Sequence, residues 1–265
     1  MTTYWHLSQN HLNLLETCPP QFQKSYVQQL KSPLNLAQEE TTQRGKLFHL
    51  FIQQYNLGLP IANILIEHEE FKNSVNSLIT ATKDILTSPD ILDKKIEYQL
   101  NYNFNNYCFT AVYDLIMFYP SKVSIFDWKT YSAPKDKNKL INDWQTRLYL
   151  YILAEKLNYK PHQISFTYWF IKLPNKIETF TIKYNKKKHE KTKQDLIKIL
   201  EKLENLTDEY INNNIDFSHH NNCHDCPYKN EFLTLIKNPD LDHQIPYSLQ
   251  QINSITYIPH ISIEY

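Results

Sequence analysis

The chain is predicted to fold as an α+β protein, on three observations. Helical patterns fill roughly its first third, three β-rich segments then follow one another directly, and a helix with a further strand comes after them. That order implies a mixed sheet in which the three consecutive strands form an antiparallel part, with helices packed on it. The length of 265 residues suffices for one sizeable core, or for one core with a small helical lobe. We read a single domain over 1–265: a helical lobe to about 92, a strand-bearing core over about 93–185, and a C-terminal helix with an irregular tail over 186–265.

Each element has a local reason. Residues 8–30 form a helix capped by Ser8 or Asn10, interrupted at Cys18-Pro19-Pro20 and resumed through Phe22, Tyr26 and Leu30. Residues 40–57 place Leu47, Leu50, Phe51 and Tyr55 on one helical stripe with His49 beside it, and 61–87 are again helical. Strands follow at about 95–101, 107–118 and 122–130, rich in aromatic and β-branched residues. A helix over 140–157, strands over 163–173 and 177–184, and a long helix over 186–213 complete the ordered part. The remainder is polar and carries Cys223-x-x-Cys226.

Tyr119-Pro120-Ser121 separates two of the strands as a turn, so 107–130 reads as a hairpin. A loop centred on Pro120-Ser121 puts Asp114 directly across from Asp127. Such pairs have Cβ atoms roughly 5 Å apart, and like charges there repel. Period-two alternation gives Asp114 the neighbours Val112, Ile116 and Phe118, and Asp127 the neighbours Val123 and Ile125. It puts Tyr113, Leu115, Met117, Phe126 and Trp128 on the opposite face, so both faces are apolar and covered. Two carboxylates in such a place need compensating positive charge. Lys129, on the same face as Asp127, supplies one charge, and a divalent metal would supply the rest. The arrangement points to metal-assisted hydrolysis. An Asp–Asp–Lys salt-bridge cluster without chemistry uses the same residues, and the hairpin alone does not separate the two.

Composition narrows the function. Lys and Arg total 28, Asp and Glu total 28, so no bulk charge coats nucleic acid, although a local basic groove is compatible with this. The only glycines are Gly45 and Gly58, which excludes a phosphate-binding P-loop and a dinucleotide-binding glycine turn. The N-terminus has no apolar leader core and no long uncharged apolar run occurs, so we expect a soluble cytoplasmic protein without a membrane partner. Four irregularly spaced cysteines do not make a disulfide framework.

The ordered set of motifs resembles the PD-(D/E)xK nuclease superfamily, in particular its RecB-like branch of CRISPR-associated exonucleases and helicase–nuclease subunits. The resemblance is carried by Leu7-Ser8 through Cys18-Pro19 and Phe22 to Tyr26, Gly45-x-x-x-His49, Glu97, Asp114, Asp127-x-Lys129 and Gln145-x-x-x-Tyr149. It covers most of residues 7–175 and departs mildly at Ala111, where the family usually has glycine. It implies a restriction-endonuclease-like core that cuts DNA, at single strands or ends, in repair, recombination or CRISPR-related processing, alone or beside a helicase or CRISPR adaptation protein. It further implies Mg²⁺ or Mn²⁺ held by His49, Asp114, Asp127 and the main-chain carbonyl of Trp128, with Glu97 as a further acidic group. Lys129 would orient the attacking water or, with a lowered pKa, take its proton, and Gln145 with Tyr149 would hold the substrate backbone. A non-catalytic nucleic-acid-binding or scaffolding module that kept the fold is the alternative.

Many RecB-like nucleases hold a [4Fe–4S] cluster on four cysteines. Cys18, Cys223 and Cys226 match three of them, but Phe232 stands at the fourth place and Cys108 points into the sheet. Zinc completed by His219, His220 or His224, or three thiols holding nothing, are the remaining readings. Lys135, Lys137 and Lys139 follow the D-x-K strand and are candidates for DNA phosphates. Tyr131 and Trp144 are candidates for stacking on an unpaired base. The lysines over 183–193 are a solvated helix face.

Overall fold

The computed structural model describes residues 5–30, 36–157, 159–172 and 176–219. The architecture is α+β around one six-stranded mixed sheet. Its strands are β1 (Trp5–Leu7), β2 (Asp93–Phe104), β3 (Tyr107–Phe118), β4 (Val123–Lys129), β5 (Ile164–Lys172) and β6 (Lys176–Lys183). They run in the order β1-β3-β4-β5-β6, with β2 along the other edge of β3. β2 pairs antiparallel with β3 and β3 antiparallel with β4 as expected, while β4 and β5 are parallel and β5 and β6 antiparallel. The parallel pair needs a helical crossover. It is supplied by α6 (Lys137–Asn142) and α7 (Trp144–Lys156).

The sheet is covered on both sides. On one face α1 (Gln9–Thr17), α2 (Pro19–Phe22), α7 and α8 (Lys186–Asn213) close a core that includes Leu12, Phe22, Ile125, Leu148, Phe166 and Leu200. On the other, α3 (Leu36–Asn56), α4 (Ala62–Glu67) and α5 (Glu69–Leu86) bury Phe48, Phe51, Leu78, Leu115, Phe126 and Trp128. The chain leaves α8 through Asn214 in the left-handed region and returns to α2, where Phe217 stacks on Phe22 at 6.4 Å and its N–H donates to Gln23 Oε1 at 2.7 Å. No helix among the described residues is long and apolar enough to cross a membrane.

The hairpin register is the one its turn requires, with Phe118 opposite Val123, Ile116 opposite Ile125 and Leu115 opposite Phe126. Pairing ends there, so the expected direct Asp114–Asp127 pair does not form and Asp114 accepts from the Trp128 N–H instead. The alternation, however, breaks. Tyr113 packs with Ile116 and Ile125 and not, as expected, with Leu115 and Met117. On β2 the same break falls between Tyr98, which faces the first core, and Ile96, which faces the second. Ile96 still opposes Leu115 and Tyr98 opposes Tyr113, while Glu97 and Asp114 between them leave the ladder. Glu97 has φ 47°, a left-handed conformation that a residue with a Cβ adopts only when its surroundings impose it. Both strands therefore turn over at one point, and both carboxylates sit at that point.

Smaller departures have local causes. The helix expected over 140–157 is two helices, because Asp143 is extended and caps α7, its carboxylate accepting from the Gln145 N–H at 2.7 Å. The segment 61–87 breaks at His68. β1 escaped the sequence reading because three residues carry no period.

Candidate active site

Four elements meet near the C-terminal end of β4, where β2 and β3 turn over within the sheet. β3 brings Asp114, β4 brings Asp127 and Lys129, β2 brings Glu97, and α3 reaches over from the second core with His49. Phe48, Phe51 and Ile52 anchor that helix turn in the core. At Gly45 a Cβ would meet Thr130 Oγ1 at 3.9 Å, an ordinary contact that puts this turn of α3 beside the end of β4.

Asp114 Oδ2 accepts from the Trp128 N–H at 2.9 Å and lies 3.3 Å from His49 Nδ1. His49, Glu97 and Asp114 each offer one ligand atom, all within 4.8 Å of one another. Asp127 stands beside them, its side chain 4% exposed and 2.8 Å from the Lys129 ammonium. Gln145 bridges the two: its Nε2 donates to Asp127 Oδ1 at 2.6 Å and its Oε1 accepts from Lys129 at 2.9 Å.

The protonation states follow from crowding. For His49, burial favours the neutral ring, but the charge and hydrogen bond of Asp114, with Asp127 behind it, prevail and push it up to about 9. Glu97 is pushed up to about 7 by burial and by Asp114. Burial, with Asp114 adding repulsion, outweighs Lys129 and raises Asp127 to about 6. Asp114 is buried too, yet His49, Lys129 and the Trp128 N–H hold it below the usual carboxylate range. Lys129, against its own burial, is held above the usual lysine range by Asp127 and Asp114.

These residues fit a divalent cation. The donors are mainly carboxylate oxygens, hard ligands suited to Mg²⁺ or Mn²⁺, with one borderline imidazole. Asp127 Oδ2 is buried and, although ion-paired, accepts no well-aligned hydrogen bond. The acidic groups titrating above their ordinary range are what an uncompensated negative site produces.

Gln145 and Tyr149, which the resemblance gives to the substrate backbone, both stand beside Asp127 in the structure. Gln145 is occupied by Asp127 and Lys129. Tyr149 is 4% exposed behind it, with burial raising its phenol pKa and its carbonyl accepting from the Tyr113 hydroxyl at 2.8 Å. Trp144 is likewise no stacking surface: it is 1% exposed and donates through Nε1 to Glu16 at 2.9 Å. Helix spacing shows which residues share a face but not whether that face is covered. Lys135 and Lys139 are exposed, whereas Lys137 folds over Phe170 and Phe180, 5.4 and 5.5 Å from the ring centres. Cys18 and Cys108 are buried, and Cys223 and Cys226 lie outside the described residues.

Sequence reasoning missed Asn13, Glu16 and Asp143, which set the first turn of α7 and hence Gln145. Asn13 Nδ2 donates to Asp143 Oδ1 at 3.5 Å, its Oδ1 accepts from the Trp144 N–H at 3.4 Å, and Glu16 holds the indole. Asp143 carried a signal, an N-cap residue two positions before Gln145. Asn13 and Glu16 lie too far away in sequence to carry one.

Three clustered carboxylates, a lysine and a histidine at the turn-over of β2 and β3 are suited to hold a cation against a phosphate. The chain belongs to the PD-(D/E)XK nuclease superfamily, whose family model matches residues 6–230. The crystal structure of a protein named as a putative exonuclease from Eubacterium rectale is similar with a TM-score of 0.51 at 10% identity, over 94% of this chain and 93% of that one. That likeness shows a shared fold. A second crystal structure, of the protein SSO0001, gives a TM-score of 0.38 at 13% identity over 73% of this chain and 75% of that one. No curated protein matches the sequence.

A cation entering this site displaces protons. His49 carries one below about pH 9, Glu97 below about 7 and Asp127 below about 6. The apparent Mn²⁺ affinity is therefore expected to rise roughly tenfold per pH unit between pH 7 and 9, and more steeply below that. Calorimetric titration at pH 6, 7 and 8, in buffers of different ionisation enthalpy, reads both the affinity and the protons released. An affinity independent of pH would refute these protonation states.

Proposed function

We propose that this chain is a Mg²⁺- or Mn²⁺-dependent deoxyribonuclease of the RecB-like branch that hydrolyses phosphodiester bonds, acting as an exonuclease on single strands or ends. The observation that carries the reading is the meeting of Asp114, Asp127 and Lys129 at the turned-over hairpin, inside a chain of the nuclease superfamily. DNA repair, recombination or CRISPR-related processing, beside a helicase or an adaptation protein, is the setting that the resemblance to RecB-like nucleases supports.

His49, Asp114, Asp127 and the Trp128 main-chain carbonyl are the proposed ligands, with Glu97 at the same point. The bound cation would supply a Lewis acid for the phosphate oxygens and acidify the attacking water. Gln145 fixes Asp127 and Lys129 relative to one another, so neither has to reorganise during the reaction. Before a cation binds, Asp127 and Asp114 raise the Lys129 pKa. A cation drawing on those carboxylates would lower it again, so Lys129 would orient the attacking water or take its proton.

The test is cleavage of end-labelled linear single- and double-stranded DNA and of circular single-stranded DNA with Mg²⁺ or Mn²⁺, with Asp127→Ala and Lys129→Ala in parallel. Loss of cleavage in both variants is expected, together with sparing of circles. A folded protein that cuts none of these and binds no metal would instead be a nucleic-acid-binding scaffold. Cutting of circles would make the enzyme an endonuclease.

A further inference from the structure

An aromatic row along β5 passes beneath the site and surfaces beside it. Phe166, Tyr168 and Phe170 follow one another at 4.5 and 5.9 Å between ring centres. The Lys129 ammonium lies 5.8 Å from the Tyr168 ring. The row ends on Tyr131, whose ring is 5.9 Å from that of Phe170. Phe166, Tyr168 and Phe170 are at most 1% exposed, but Tyr131 is 53% exposed. It stands two residues beyond Lys129, close enough for its hydroxyl to sense the charges of both Lys129 and Asp127.

Phe170 supports a second group. The Lys137 ammonium sits 5.4 Å from the same ring, and among the described residues no carboxylate pairs with it. An aromatic face and an unpaired cation thus flank one buried ring next to the catalytic lysine. A tyrosine held on a packed neighbour loses little freedom when something stacks on its open face. A nucleotide offers the matching pair, a flat base and an adjacent phosphate, and only an unpaired base has a face free to stack.

Resting on the nuclease reading above, we infer that Tyr131, carried on Phe170 with Lys137 beside it, is a seat for one unpaired base of the strand being cut. The preferred substrate is then a single-stranded or frayed DNA end. A base paired in a duplex cannot enter the seat without being unstacked.

The test uses the full chain in an Asp127→Asn background, where hydrolysis is off, and single-stranded oligonucleotides carrying 2-aminopurine at either end. Binding is expected to quench the probe at one end. Tyr131→Ala is expected to abolish the quench and weaken binding by roughly 10- to 100-fold, and Tyr131→Trp to keep both. Lys137→Ala is expected to weaken binding and flatten its salt dependence, with the quench retained. Undiminished quench and affinity in Tyr131→Ala, or equal affinity for blunt duplex, would overturn the seat. The nuclease reading is scored separately, by cleavage with native Asp127. Cleavage without quench removes the seat alone, and quench without cleavage removes the nuclease alone.

Discussion

Asp127→Asn is expected to abolish cleavage and at the same time to make the metal-free protein more stable. The loss should be about 10³-fold or more, because the variant surrenders a cation ligand and with it several kcal/mol of transition-state charge stabilisation. The gain comes from the same carboxylate. Asp127 is held at about 6 against an ordinary 3.8, by burial and by Asp114 across the hairpin. A carboxyl with a raised folded-state pKa costs stability as pH climbs from its ordinary value through the raised one, and the full cost is present above that. At pH 7 this amounts to roughly 2–3 kcal/mol, with no discount for solvent because the side chain is 4% exposed. Asparagine keeps an acceptor for Gln145 Nε2 without the charge, while its amide nitrogen, set against the Lys129 ammonium, offsets part of the gain. Its melting temperature without metal should exceed the parent's by about 5 °C, and Mn²⁺ should no longer raise it. Thermal unfolding with and without Mn²⁺ measures both. A metal-free variant that melts lower than the parent would show that the buried charge is net favourable and the electrostatic account wrong.

Lys129→Ala should also be inactive, with the opposite effect on stability. Its ammonium lies 2.8 Å from Asp127 Oδ2, donates to Gln145 at 2.9 Å and is 18% exposed. Removing it leaves Asp114 and Asp127 facing one another without the cation that balances them. Breaking a buried pair on one side costs about 3–5 kcal/mol, which should appear as a large drop in the metal-free melting temperature. A divalent ion replaces the missing charge, so Mn²⁺ should stabilise Lys129→Ala more than it stabilises the parent. The double variant with Asp127→Asn should be more stable than Lys129→Ala alone, since the charge left unpaired is gone. Additive effects in that cycle would mean that the two residues do not compensate one another.

The opposing signs reflect how the site is built. A structure optimised for stability would not bury Asp114 close to Asp127 and add Glu97 in a left-handed conformation. Here the hairpin is tolerated because two apolar cores clamp the sheet from both sides. Function at this point is held in place by packing elsewhere.

Much of the frame was legible because it is local. The turn at Pro120-Ser121 sets the hairpin register as far as Leu115, the amphipathic run over about 186–213 marks α8, and Asp114 with Asp127 and Lys129 stand out because no core accommodates them without charge compensation. The order of the motifs carried the family. What the residues do to one another was not legible. Period-two alternation put Tyr113 with Leu115, and the turn-over at Glu97 and Asp114 reverses it. Helix spacing put Gln145 and Tyr149 on one face, but α1 and the capping Asp143 decide that Gln145 meets Asp127 and Lys129 while Tyr149 is covered.

The sequence by itself determined the class of fold, the hairpin register and the identity of the charged residues, since each depends on neighbours within a few positions or on chemistry that burial forbids. Only the tertiary structure decided that Glu97 joins His49 and Asp114, that Gln145 bridges Asp127 and Lys129 and that Tyr131 rather than Trp144 faces solvent. Those outcomes depend on which elements, tens of residues apart, pack against the same few ångströms of sheet.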